Sequence, residues 1–428
     1  MENWKDVCRR LETGELDKEL LETGYADVIS ARKRVLGVLE GFKKSFDADE
    51  NVQVSVCSAP GRTEICGNHT DHQHGHVLAA AVTLDFLACA APNGTDKVCF
   101  KSEGWPMTVI DISDIEPKEE ERETTASLVR GVMAQLKERG YEISGFDMYA
   151  VSNVLPGSGL SSSAACEVLI GVVGNHLFCG DELDAVTIAK IGQYAENKYF
   201  GKPSGLMDQT ASSVGDAVAI DFEDPASPVV RTVEADLKGL GLALCIIDSG
   251  ADHAALTSEY ASIPKEMCSV AEFFGKKVLR EVKEEDVLWS IPKLRKEVGD
   301  RAVLRALHFY EDDRRAVLEA DALERKDAKA FLELVRQSGK SSWELLQNIT
   351  PAGAVTAQDM AVALAATEKL LDNKGACRVH GGGFAGTIQA FVPLEELDAF
   401  KEKTEKILGE GCCHVLDIRK AGGTVILP

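Results

Sequence analysis

The chain has 428 residues, of which 45% are hydrophobic and 27% charged, and its formal net charge is −22. That length exceeds one ordinary core and predicts two domains of a globular protein. The acidity disfavours nucleic acid and anionic membrane surfaces, since both are met by Lys and Arg.

No run of about 18 apolar residues occurs, and the opening MENWKDVCRRLETGELDKELLE is too charged for a signal peptide, so a cytoplasmic location is expected. The twelve cysteines contain no C-x-x-C, and several, such as Cys89 and Cys245, sit in apolar runs. They read as free thiols of a reduced compartment.

In chain order, the first 45 residues predict helices. ADVISARKRVLGVLEGF places Ile29, Val35, Leu36, Val38 and Leu39 on one face. Strand alternation begins at 52–59 and continues through VLAAAVTLDFLACAAP and KVCFKSE, and the acidic stretch DISDIEPKEEERE reads as a solvated loop. A helix (SLVRGVMAQLKERG) and a strand (FDMYAVSNV) lead into LPGSGLSSSAA. Further helices, a short strand ending at DFEDP and a buried strand GLALCIIDSG follow. Residues 255–350 are mostly helical, and a strand–loop–helix unit closes the chain with GTVILP. Strands and helices without regular alternation predict an α+β fold.

Three loops carry chemistry. In PGSGLSSSAA, glycines let backbone N–H groups approach an anion, and a Ser run opens a helix whose N-terminus is partly positive. The alternative is a Ser N-cap after a tight turn. The loop fails G-x-G-x-x-G, whose third glycine would be Ser162, and the GKS at 339–341 fails G-x-x-x-x-G-K-[ST], with Leu334 in place of the first glycine, so any phosphate loop here is of another kind. In PSGLMDQTASS, Asp208 is read as lying in a turn between a helix and a strand, with Glu196 on the preceding helix; phosphoryl transfer uses two such carboxylates, a base and a Mg²⁺ ligand. An Asp capping a turn is the plainer alternative. Third, VHGGGFAGTIQAFV places Gly381, Gly382, Gly383 and Gly386 between two strands, leaving room for a ligand against bare backbone.

Together these segments resemble the kinase family named for galactose, homoserine, mevalonate and phosphomevalonate kinases (GHMP), and within it the galactokinases. GRTEICGNHTDH is similar to the galactokinase signature G-R-x-N-x-x-G-E-H-T-D-Y, PGSGLSSSAA to the phosphate loop, GLMDQ to G-I-M-D-Q, HGGGFAG to the late glycine loop and Ser258-Glu259-Tyr260 to a family S-E-Y. The resemblance implies two α+β domains, expected at 1–232 and 233–428, with the active site in the cleft between them. It implies ATP-dependent phosphorylation of the anomeric hydroxyl of galactose, with ATP and Mg²⁺ required. Asp208 would be the catalytic base with Arg62 beside it. Arg62, Asn68, His69, Asp71, Asp208 and Tyr260 would line the sugar. Pro156, Gly157, Ser158, Gly159, Leu160, Ser161, Ser162 and Ser163 would hold ATP, and Ser163 and Glu196 the metal. Small-molecule partners and a monomer or weak homo-oligomer are expected.

Residues 69–76 hold four of the nine histidines. Their spacing is not that of H-E-x-x-H, which disfavours zinc; the resemblance implies that His69 and Asp71 read sugar hydroxyls, with no catalytic role for His74 or His76. Several positions depart from the family. Asn68 replaces Glu, His72-Gln73 replaces Tyr-Asn, Glu64 replaces Asn, and His380 and Ala385 replace Thr and Gly. Loss of a buried Glu at 68 would let the pocket accept a carboxylate, and plant galacturonate kinases resemble this chain here, so galacturonate is the rival substrate. A non-catalytic galactose sensor is a third reading, disfavoured by the intact Ser163-Ala164-Ala165 and Asp208.

Overall fold

A computed structural model of the chain describes residues 1–155, 158–202, 204–251 and 256–427. Among these the strands form two sheets. The first sheet comprises β1 (Glu2–Asn3), β2 (Gln53–Cys66), β3 (His76–Pro92), β4 (Lys97–Ser102), β5 (Met107–Asp111), β6 (Phe146–Ser152), β7 (Ala217–Asp221), β8 (Val229–Val233) and the last strand of the chain. The second comprises β9 (Leu242–Asp248), β10 (Ala376–Val379), β11 (Thr387–Pro393) and β12 (Cys413–Leu416) in the order β10-β11-β9-β12. The last strand, β13 (Thr424–Leu427), returns antiparallel to β2. The fold is α+β, with two domains. We propose their boundary near residue 233, between β8 and β9, with β13 crossing back.

Sequence and packing agree closely around β2 and β3. Successive side chains of a strand point to opposite faces. Cys57, Ala59, Ala88 and Ala90 pack into one core with the helices Thr125–Glu138, Ser162–Phe178 and Ala185–Tyr194. Val54, Val56, Leu87, Cys89 and Ala91 pack into another with the N-terminal helices. Both faces are covered, which is why VLAAAVTLDFLACAA is an almost continuous apolar run. Buried Asp85 joins the layers: it accepts from Ser58 at 2.5 Å and Arg419 at 3.0 Å, and from Tyr25 and Arg34.

The second sheet faces Cys245 and Ile247 toward the helices Asp359–Leu371 and Leu397–Leu408. Its other face presents Leu244, Ile246 and Phe391 to a core shared with Ile65, Leu78 and Ala80 of the first sheet. The two halves therefore meet through packed apolar side chains, which holds the groups between them in register.

Two local expectations fail. Ile29 lies in the first turn of the helix Val28–Phe46, which Asp27 caps by accepting from the Ile29 and Ser30 N–H groups, and it is 75% exposed; Val35, Val38 and Leu39 carry the buried face. Asp208 is in the first turn of the helix Met207–Val214 rather than in a turn, because apolar Met207 and Ala211 bury one face of that segment.

Candidate active site

The site lies between the two sheets, and β2 supplies its floor. The β2–β3 register shifts between Pro60 and Arg62, and such a bulge re-aims the next side chain. A Cβ on Gly61 would stand 2.9 Å from the Leu160 carbonyl, so only glycine lets β2 run this close to the loop 158–161. The Arg62 N–H then donates to Leu160 O at 3.0 Å.

From that position Arg62 reaches Asp208 as a two-point fork, Nε to Oδ1 and Nη2 to Oδ2, both 2.7 Å, and Nη1 donates to Gly159 O. Ser161, in the left-handed region at φ 53°, donates its hydroxyl to Asp208 Oδ2 at 2.7 Å. Burial works to raise the Asp208 pKa, but the Arg62 charge, its hydrogen bonds and Ser161 outweigh it and hold the carboxyl below its ordinary value. Asp208 is therefore ionised at neutral pH, with one edge open to the cleft.

Directly after Ser161 begins the helix Ser162–Phe178, and among the described residues no side chain caps it. Its first-turn N–H groups have no intrahelical partner and suit an anion. Ser162 and Ser163 open onto a cavity of about 600 Å³ lined by Phe86, Phe100, Trp105 and Phe200. Sequence reasoning missed this cavity, since those aromatics are scattered over 115 residues and carry no motif; Trp105 is 71% exposed. Pro156 and Gly157 lie outside the described residues. Ser158 and Leu160 are buried: the Ser158 hydroxyl donates to Leu155 O at 2.6 Å, and the Ser158 and Leu160 carbonyls accept from Thr387 at 2.6 Å and the Arg62 N–H at 3.0 Å.

Ser163 Oγ stands 3.4 Å from Glu196 Oε1, which also accepts from Lys202 Nζ at 3.1 Å. Adjacent ligands of an octahedral Mg²⁺ at about 2.1 Å lie about 3 Å apart, so this hydroxyl–carboxylate pair fits the ion. Gln209 holds the other Glu196 oxygen at 2.9 Å and Glu167 at 2.8 Å.

The late glycine loop closes the site from the second sheet. A Cβ on Gly383 (φ 87°) would fall 2.2 Å from Asn348 O, so that position requires glycine. Tyr260, from the helix Thr257–Phe273, donates to Gly383 O at 2.9 Å and packs edge-on against Phe384. His69, at φ 61°, meets Gly382 O at 3.0 Å, which requires Nε2 to carry the proton; burial lowers its pKa to about 4, so it is neutral. Asp71 Oδ1 accepts from the His72 N–H at 2.9 Å, and Oδ2 lies beside Gly205, near the start of the Asp208 helix.

Asn68 corrects the sequence-based expectation. It is 0% exposed and does not line the cleft. Its Nδ2 donates to Glu64 Oε1 at 2.8 Å and Gly381 O at 2.7 Å, and its Oδ1 accepts from Asn348 at 2.7 Å. Its backbone N–H donates to Asp312 at 2.9 Å, and its carbonyl accepts from His308 at 3.0 Å. Glu64 also pairs with buried Arg378 at 3.0 Å. Burial raises the Glu64 pKa, with Arg378 and Arg62 opposing. Arg378, Asn348, His308 and Asp312 escaped sequence reasoning because they come from distant segments and carry no motif, although Arg378 lies two residues before His380-Gly381.

The remaining histidines separate. His72 is exposed and its ring stacks on His69. His76 bridges Asp313 at 3.0 Å and Asp221 at 3.2 Å. The Asp313 hydrogen bond raises its pKa, so its contribution to stability is complete below the unfolded value of about 6.5 and is lost as pH rises through the folded one. Melts between pH 6 and 8.5 should therefore show a decline that His76→Gln flattens; parallel curves for the two proteins would contradict this.

Comparison with known proteins gives two family-model matches. Residues 127–216 match the GHMP kinases N-terminal domain, and residues 40–92 match the galactokinase galactose-binding signature. Among solved structures, the Lactococcus lactis galactokinase complexed with galactose is 26% identical, with a TM-score of 0.77 over 91% of this chain and 99% of that one. The Methanococcus jannaschii mevalonate kinase (14% identity, TM-score 0.60, 86% and 98% covered) and the Streptococcus pneumoniae phosphomevalonate kinase with phosphomevalonate and AMPPNP (13%, 0.60, 85% and 99%) share the fold.

Proposed function

We propose that this chain, a galactokinase-like sugar kinase with a GHMP kinase N-terminal domain, transfers the terminal phosphoryl group of ATP to the anomeric hydroxyl of galactose, giving galactose 1-phosphate and ADP. The observation that carries the reading is Asp208, ionised and gripped by Arg62 and Ser161, beside an uncapped helix N-terminus.

In this proposal Asp208 accepts a hydrogen bond from the sugar hydroxyl and takes its proton. A carboxylate of depressed pKa is a weak base, so the proton moves late, when bonding to phosphorus has made the hydroxyl more acidic. Arg62 keeps Asp208 oriented and balances charge. The N–H groups of the first helical turn, with Ser162 and Ser163, receive the phosphates, and the aromatic-lined cavity beside them seats the base. Ser163 and Glu196 would hold Mg²⁺, which supplies charge neutralisation on the phosphates when bound. Asp71, His69 and Tyr260 border the sugar's place.

The resemblance of Asn68 and Asp71-His72-Gln73 to plant galacturonate kinases supports galacturonate as a second reading. ADP release with Mg-ATP, measured with galactose and galacturonate at matched concentrations, distinguishes them. Faster turnover with galactose is expected. A preference for galacturonate would move the assignment to the acidic sugar, and silence with both would favour a non-catalytic sensor.

A further inference from the structure

His380 lies between the sugar-signature strand and the phosphate loop, is 2% exposed, and has both ring nitrogens engaged. Nε2 is 3.0 Å from Thr63 Oγ1, and Nδ1 is 2.9 Å from Thr387 Oγ1. The protons of this group can be assigned from its partners. Thr387 donates its one hydroxyl proton to the Ser158 carbonyl at 2.6 Å, so toward His380 it can only accept, and Nδ1 carries a proton. Thr63 Oγ1 accepts from Gln389 Nε2 at 2.6 Å and has its own proton left for Nε2. The hydrogen bonds thus all run one way, from Gln389 through Thr63, His380 and Thr387 to Ser158 O. This direction requires a neutral ring, and burial between Arg62 and Arg378 lowers the imidazole pKa to about 3. Nothing else among the described residues connects β2, the end of β10, β11 and the loop 158–161 in one chain. The loop also rests on the ring: a Cβ on Gly159 would stand 3.0 Å from Nδ1.

We propose that His380 is a positioning residue for the nucleotide phosphates: as a neutral Nδ1–H imidazole it orients Thr387, which fixes the Ser158 carbonyl and with it the turn from Gly159 to Ser161. This rests on the reading that the loop receives ATP. The two arms of the ring can be separated, because an Asn amide reproduces the Nδ1 position and a Gln amide the Nε2 position. His380→Asn keeps the arm toward the loop, whereas His380→Gln keeps only the arm toward Thr63.

Titration calorimetry with Mg-ATP and with adenosine tests this. His380→Gln is expected to weaken Mg-ATP about tenfold and adenosine less than twofold, since adenosine has no phosphate for the loop to hold; His380→Asn should stay within about threefold for both. Thr387→Val and Thr387→Ser provide a second pair should the His380 variants fold poorly, with loss for Val and retention for Ser. Equal Mg-ATP affinity in His380→Gln and the unaltered chain would overturn the inference alone. So would equal losses for Gln and Asn, or parallel losses for ATP and adenosine, which mark general damage. Failure of the unaltered chain to bind Mg-ATP would overturn both the loop reading and the inference.

Discussion

Replacing Asp208 with Asn is expected to cut turnover by about 10²–10⁴-fold while Mg-ATP still binds, because the substitution removes the proton acceptor and leaves the phosphate loop in place. The loss has two sources. An amide cannot take the hydroxyl proton, and its NH₂ would face the Arg62 guanidinium where the second arm of the fork now closes. Arg62 is almost fully buried and would lose its counter-charge, so a sugar KM increase should accompany the fall in kcat. Initial rates over both substrates separate these effects. Turnover within about fivefold of the unaltered chain would remove the base role. The pH profile checks the same assignment. The folded pKa of Asp208 is depressed, so activity that depends on its ionised form is present above the usual carboxylate range and is lost only as pH falls below about 4. An acid limb near pH 6 would indicate a different base.

The second expectation is that Asn68→Glu, made alone to restore the galactokinase pattern, destabilises the fold. The new carboxylate would sit against Glu64 Oε1 and the Gly381 carbonyl, both acceptors, in a position with no solvent exposure. A buried charge without a partner costs about 3–5 kcal/mol, which corresponds to a melting-temperature fall on the order of 10 °C. Glu64→Asn alone should also destabilise, because it removes the counter-charge of buried Arg378. The double variant Glu64→Asn/Asn68→Glu keeps one carboxylate in the cluster and should recover most of the loss, giving a coupling energy of about 2–3 kcal/mol. Thermal melts of the four proteins measure this. Additive losses, or a single Asn68→Glu variant that melts within 2 °C of the unaltered chain, would show that the two positions do not share a charge. The double variant is also the one in which the balance between galactose and galacturonate should be measured, since its fold is the less disturbed.

Much of the site was legible as separate pieces. Gly159, Ser161–Ser163, Asp208 and the late glycines stand out by local chemistry, as glycines where backbone approaches an anion, hydroxyls opening a helix and a carboxylate, whereas Arg62 enters only through the resemblance to the galactokinase signature. The folded chain brings Arg62, Ser161 and Asp208 into direct contact across 146 residues. Their charge states and the direction of each hydrogen bond depend on burial and on partners contributed by other segments, so no local pattern could indicate them. Asn68 illustrates the limit. The resemblance places its side chain at the sugar because the galactokinase signature carries a sugar-binding Glu there, yet Asp312, His308, Asn348, Glu64 and Gly381 engage every polar group it has.

The amino-acid sequence by itself determined the α+β class, the N-terminal helical run, the long apolar strands, the chemistry of the three loops and the kinase family they resemble. All but the family follow from periodicity, turn chemistry and residue type, which act over a few residues; the family follows from the resemblance of the motifs. Only the tertiary structure decided that β13 returns to the first sheet, that scattered aromatics form a cavity beside Ser162, that Asp208 sits on a helix, and that Asn68 and His380 are bound to protein groups. Those outcomes rest on contacts between segments far apart in the chain, where burial and the number of available donors and acceptors, rather than local propensity, set which groups can meet.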